Sequence, residues 1–148
     1  MTNLNQLPGD LPIPQDDGAA DHLVGMSLPA ISLRTTAHDQ FNLGEAKGRI
    51  VIYCYPMTGQ PNVPLPDGWD QIPGARGCTP QSCSFRDHYQ ELRSLGADVV
   101  GLSVQSTEYQ QEMADRLHLP FPVLSDEDYR FQQALRLPTF VAAGMTLL

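Results

Sequence analysis

The apolar positions along the chain predict two strands buried on both faces. From Arg49 to Tyr55, Ile50, Ile52 and Cys54 alternate with Val51, Tyr53 and Tyr55, and both sets are apolar, as expected of a central strand covered on both sides. Asp98 to Val104 has the same character through Val99, Val100, Leu102 and Val104. Between these strands the period changes. Phe85, Tyr89 and Leu92 recur at four- and three-residue spacing, which predicts a helix over residues 79–95 with Gly96 as its stop. Strand, helix, strand is the parallel crossover unit. Upstream, Ile31–Leu33 and Phe41–Leu43 flank His38 and Asp39, predicting a hairpin. Downstream, Thr107 and Gln110 form a capping box ahead of a helix with Tyr109, Met113 and Leu117 on one face. A short strand over residues 121–124 follows. Ser125 and Asp128 then mark the start of a helix running to about Leu135. The pattern is α/β, with one domain over residues 26–148. Residues 1–25, rich in Pro, Gly and Asp, are expected to form an irregular arm.

The start of the crossover helix carries the chemistry. Cys78 and Cys83 stand five positions apart in Gly77-Cys78-Thr79-Pro80-Gln81-Ser82-Cys83-Ser84-Phe85-Arg86-Asp87. Thr79 is an N-cap residue type and Pro80 suits the first helical position. A cysteine at this place feels the partial positive charge of the helix N-terminus and of Arg76, both of which favour thiolate. Inside one regular helix the two Cα atoms would lie roughly 8.5 Å apart, too far to bridge without backbone movement. If the helix starts after Cys78, the two residues take the positions of a hydrophobic staple and can approach. Spacing alone leaves two readings. One is a redox pair whose state winds or unwinds the first turn; the other is a cap-region thiol and a buried small apolar residue.

This segment resembles the active-site helix of peroxiredoxins, in particular the peroxiredoxin Q (bacterioferritin comigratory protein) branch. Three further stretches occur in the family's order: Leu28–Leu33, Ile50–Pro56 and Leu124–Asp128. The resemblance implies a thioredoxin-like sandwich, a central mixed sheet flanked by helices. It further implies a thiol peroxidase acting on hydrogen peroxide and organic hydroperoxides, with Cys78 peroxidatic, Cys83 resolving, and thioredoxin or a similar dithiol as reductant. No cofactor is implied. Two departures stand out. The family places a proline, then a Thr or Ser three residues before the peroxidatic cysteine. Here Pro56 can shape the site only across an insertion, and Ala75 occupies the hydroxyl position, leaving Thr58 or Thr79 to supply that group. The family also carries an arginine on a late strand, followed by a strand and a helix. Residues 139–148 are apolar and end without cap or polar tail, so the C-terminal strands and helix are expected to be missing.

Residues 56–77 join the strand to Cys78. They hold five prolines and four glycines without periodicity, a length at which a loop is usually functional or disordered. Trp69 in this loop reads either as a lid over the site or, preferably, as an aromatic pinning the loop to the core. Arg86 is expected to pair with Asp87 or a nearby carbonyl, and Cys54 to be a packed, inert thiol. His88 with the three cysteines makes a poor zinc set, since structural sites favour closer cysteine pairs. Helical spacing also turns His88 away from Cys78, which disfavours a cysteine–histidine hydrolase. A C-x-x-C oxidoreductase is disfavoured by the longer C-x4-C spacing. A thioredoxin-like redox sensor or binding domain is the alternative from a different class.

Composition narrows the partners. The chain has 148 residues, 41% of them apolar, and a net charge of −8, which disfavours nucleic acid and anionic membranes. The first twenty residues lack a basic start followed by an apolar run, so a secretion signal is not expected. Three cysteines suit a reducing compartment better than a disulfide framework. A cytoplasmic monomer is the expectation.

Overall fold

The computed structural model describes residues 3–148. The hairpin expected near the start is formed by β1 (Ser32–Thr35) and β2 (Gln40–Asn42), with Leu33 opposite Phe41. β3 (Arg49–Cys54) runs parallel to β4 (Ala97–Ser103), placing Val51 beside Val99 and Ile52 beside Val100. β4 continues in parallel to β5 (Val123–Ser125), which pairs antiparallel with β1. The sheet order is β2-β1-β5-β4-β3, a mixed sheet with the expected crossover between β3 and β4.

Helices cover both faces. α1 (Cys78–Asp87), α2 (Tyr89–Ser94) and α3 (Thr107–Leu117) pack on one side, where Phe85, Tyr89, Met113 and Leu117 meet Val51, Tyr53, Val99 and Val123. α4 (Arg130–Leu135) closes the other through Phe131 and Leu135 against Val100, Leu102 and Leu124. The alternation in β3 thus separates Val51 and Tyr53 from Ile50 and Ile52, as the apolar pattern predicts. A third cluster joins Trp69 and Ala75 to a hairpin of β6 (Phe140–Ala142) and β7 (Met145–Leu147). Its two-residue loop, Ala143-Gly144, has positive φ at both positions, the primed turn that matches strand twist.

Four expectations need correction. β3 is an edge strand, not a central one: among the described residues it pairs only with β4. The predicted 79–95 helix is broken at His88, whose φ of −101° and ψ of 7° end α1 and begin α2, while Gly96 at φ 74° stops α2 as expected. The cap of α3 is Ser106, whose Oγ accepts the Tyr109 N–H at 3.3 Å. Gln110 instead turns inward and donates to Ser103 Oγ at 2.9 Å and to the Leu124 carbonyl at 2.8 Å. Finally, α4 starts at Arg130 because Asp126 reaches forward and accepts the N–H groups of Phe131 and Gln132 at 2.9 and 2.8 Å. Among the described residues no helix is long and apolar enough to cross a membrane.

Candidate active site

The loop over residues 56–77 delivers Cys78 to the helix start. Gly77 takes φ 118°, a conformation open to glycine and strained for other residues, and its carbonyl accepts the Gln81 N–H at 3.0 Å. The helix therefore begins at Cys78. Thr79 is not the cap: it is the second helical residue, buried, and no side chain caps α1. Pro80 falls third, still within the turn whose donors lack helical partners. All three cysteines are free, and the wound first turn keeps Cys78 and Cys83 at the helical separation of roughly 8.5 Å between Cα atoms.

Cys78 is 6% exposed and its thiol faces the Ala75 carbonyl at 3.7 Å. Burial pushes the thiol up to about 11, against the opposing pull of the Met57 N–H and its own N–H. This runs against the expectation that helix start and Arg76 favour thiolate: desolvation is the largest influence on the thiol, ahead of the two backbone N–H groups. Arg76 is committed elsewhere. Its side chain, 9% exposed, pairs with Asp70 at 2.8 Å and donates to the Asn3 carbonyl at 3.5 Å. Arg86 does what its sequence position suggests, pairing with Asp87 at 2.8 Å and donating to the Leu117 carbonyl at 2.9 Å.

A cavity of about 10 Å³ opens beside Cys78, walled by Met57, Ala75, Gly77 and Thr79, room for a single water-sized molecule. Met57 follows the buried Pro56, so the fold brings the end of β3 against Cys78 across the whole loop. Of the two candidate hydroxyl residues, Thr79 lines this cavity and Thr58 does not. Thr58 is held by Gln105 at 3.3 Å and Tyr109 at 3.0 Å through its backbone. Its hydroxyl is buried without a hydrogen-bond partner among the described residues. Trp69 is buried against Phe140, with ring centroids 6.3 Å apart, and also lines the cavity. It pins the loop, in keeping with the preferred reading.

Cys83 is half-buried and lines a wide groove of about 750 Å³ with Pro80, Arg86 and Leu117. His88 is exposed, its Nδ1 2.9 Å from the Ser84 carbonyl. Cys54 is exposed, at the end of an edge strand, rather than packed, while desolvation of its thiol pushes it up to about 11, in line with the inert role expected.

Sequence reasoning missed two features. Tyr53 stacks on Phe85 at 4.6 Å and donates to Ser82 Oγ at 3.1 Å; Ser82 in turn lies 3.8 Å from the Met113 sulfur. This chain ties the first turns of α1 to the sheet and to α3. The advance signal was the polar hydroxyl that Tyr53 brings to an apolar strand face. The second feature is the arm: Leu4 lines both the Cys78 cavity and the Cys83 groove. Nothing in its irregular sequence marks that contact.

The family model Redoxin matches residues 23–148. The chain is 33% identical over 116 residues to the chloroplastic peroxiredoxin Q of Sedum lineare, a match covering 78% of this chain and 54% of that protein. It is 34% identical over 107 residues to peroxiredoxin Bcp of Escherichia coli (strain K12), covering 72% and 59%. The chain spans about half the length of the curated relatives it matches. Among solved structures, peroxidoxin BcpB from Mycobacterium tuberculosis superposes with a TM-score of 0.63 at 22% identity, over 83% of this chain and 71% of that one. The Xanthomonas campestris bacterioferritin comigratory protein gives 0.59 at 20% identity, over 93% and 73%. The structural likenesses agree with the mixed sheet and its helical layers, and the match over residues 23–148 places the chain in the redoxin family.

Proposed function

We propose that the chain is a thiol peroxidase acting on hydrogen peroxide and organic hydroperoxides, with residues 26–148 as its catalytic domain and residues 1–25 as an arm. The observation that carries this reading is Cys78, free and at the first position of α1, facing a water-sized cavity, with free Cys83 five residues along the same helix. The Cys78 thiolate attacks one peroxide oxygen. An S–O bond forms, the O–O bond breaks, sulfur is oxidised by two electrons, and the departing oxygen leaves as water or alcohol after taking a proton. The N–H groups of the first turn, unpaired within the helix, face the charge that develops. Thr79, on the cavity wall, is the hydroxyl placed to hold the peroxide, and Pro56 sets the position of the Met57 N–H.

Cys83 then displaces hydroxide from the Cys78 sulfenic acid, giving a disulfide and water. The bridge requires the first turn of α1 to unwind, since the helical separation exceeds what a disulfide spans. A dithiol protein of the thioredoxin type reduces the disulfide by exchange. The working form is a cytoplasmic monomer that needs no metal or other cofactor. Peptide mapping under non-reducing conditions after one equivalent of hydrogen peroxide tests the reading. A Cys78–Cys83 linkage is expected, and a product linked through Cys54 would refute it. Ala75 at the position of the expected hydroxyl favours a second reading, a sensor oxidised once. Continuous peroxide loss matched by dithiothreitol oxidation separates the enzyme from the sensor.

A further inference from the structure

We infer that Leu4 of the N-terminal arm is a specificity-determining gate, a partition between the Cys78 cavity and the Cys83 groove that favours hydrogen peroxide over bulky hydroperoxides. The inference rests on the peroxidase reading and refines its substrate class.

Several independent contacts lay the arm along the loop that leads to Cys78. The Asn3 carbonyl accepts from Arg76, whose guanidinium is fixed at 2.8 Å by Asp70. A Cβ at Gly77 would lie 3.7 Å from a Leu7 methyl, and one at Gly74 would lie 3.4 Å from Pro14 Cγ. The arm thus follows residues 74–77, with Leu7 and Pro14 set against the two glycines, Gly77 and Gly74, that lack side chains. At its end Leu4 fits against Gly59 so closely that a Cβ there would come within 2.7 Å of Leu4 Cδ2. Leu4 is the residue through which two spaces of very different size share a wall: about 10 Å³ at Cys78 and about 750 Å³ at Cys83. With Leu4 seated, the space at Cys78 suits one water-sized molecule. With Leu4 withdrawn, the cavity joins a groove in which Pro61, Pro80 and Leu117 stand among polar residues such as Arg86 and Arg116, a space with room for an alkyl or aryl hydroperoxide.

The full-length chain carrying Leu4→Ala provides the test, with Gly59→Ala as a second variant that displaces Leu4 without removing it. The ratio of second-order rate constants for cumene hydroperoxide over hydrogen peroxide should rise at least tenfold in both. Ile13→Ala, at an arm residue 85% exposed and outside both spaces, should leave the ratio unchanged. Alkylation of reduced Cys78, followed by peptide mass mapping, gives a readout that needs no peroxidase activity. Leu4→Ala should speed labelling by a pyrene-bearing maleimide at least tenfold more than labelling by iodoacetamide. If the unmodified chain consumes no peroxide, the peroxidase reading fails, and the labelling ratio still decides the gate. If peroxide is consumed and neither ratio moves in either variant, Leu4 is no gate and the inference is overturned.

Discussion

The two faces of the sheet are built from different materials. The face closed by α4 is aliphatic apart from Phe131 and Phe41, with Leu33, Leu43, Val100, Leu102, Leu124 and Leu135 at its centre. The face under α1 to α3 mixes Val99 and Val123 with Cys78, Tyr53, Tyr55 and the buried Ser82. An aliphatic layer is held by area removed from water, so it resists change everywhere and specifies little locally. The second face adds directional contacts, above all Tyr53 to Ser82 at 3.1 Å. It holds the helix that must partly unwind if Cys78 and Cys83 are to bridge. If the proposed bridge forms, the contrast gives stability to one face and switching to the other.

Substitution of the cysteines has the largest expected effect. Cys78→Ser should reduce peroxide turnover below about one hundredth while leaving the melting temperature within a few degrees. Cys83→Ser should consume one equivalent of peroxide and then over-oxidise to sulfinic acid, visible as added oxygen in the intact mass. A full rate in Cys78→Ser would place the chemistry elsewhere and dissolve the contrast between the faces.

On the aliphatic face, Leu102→Ala should cost about 2–5 kcal/mol in denaturant unfolding. Leu102 is fully buried in β4. Under native conditions the rate of Cys78 labelling should stay within a factor of two. A large labelling change would mean that the two faces act as one unit.

Alkali acts on the other face. Because burial holds the folded Cys78 thiol at about 11, above its ordinary 9.0, the unfolded chain releases this proton first as pH rises. The folded state then binds more protons than the unfolded one, so the stability from neutral Cys78 is fully present below about pH 9. It is lost as pH rises through about 11, by roughly 2–3 kcal/mol. Cys78→Ala should flatten this part of the stability–pH curve. In the parent chain, Cys78 labelling should climb throughout the same window, and a plateau near pH 8 would show a thiolate the structure does not hold.

The smallest effect belongs to Tyr53→Phe, which removes one buried hydrogen bond and should cost about 1 kcal/mol. Its kinetic signature is sharper. Disulfide formation after a single peroxide addition should accelerate a few-fold, because Ser82 is released from the sheet and the first turns of α1 open more readily. Equal rates in both chains would mean that the Tyr53–Ser82 contact carries stability alone.

Much of the fold was legible along the chain. The alternation in β3 and the apolar run in β4 announced parallel strands, and both formed. The hairpin around His38 and Asp39, the positive-φ stop at Gly96 and the α1 cysteines were equally plain. Helix starts were less so. Ser106 in place of Thr107, and Asp126 reaching five and six residues ahead, show that several polar residues compete for the same free N–H groups. The winner depends on where the chain comes from. The Thr79 cap failed for a related reason, since Gly77 at φ 118° had already turned the chain into the helix.

The sequence by itself determined the elements whose cause is local: the period of two in β3, the helical period after Cys78, and the cysteine spacing that forbids a bridge within a wound helix. Tertiary structure decided the rest. Whether β3 is central or an edge depends on what pairs with its far side, which no periodicity within the strand encodes. Whether Cys78 is thiolate or thiol depends on burial among Met57, Trp69 and the arm, and that desolvation pushes the thiol up. The seat of Leu4 against Gly59, and between two spaces built from residues up to Leu117, is a contact across most of the chain. Such contacts are selected by the packing of the whole molecule, and a single segment read alone contains no physical record of them.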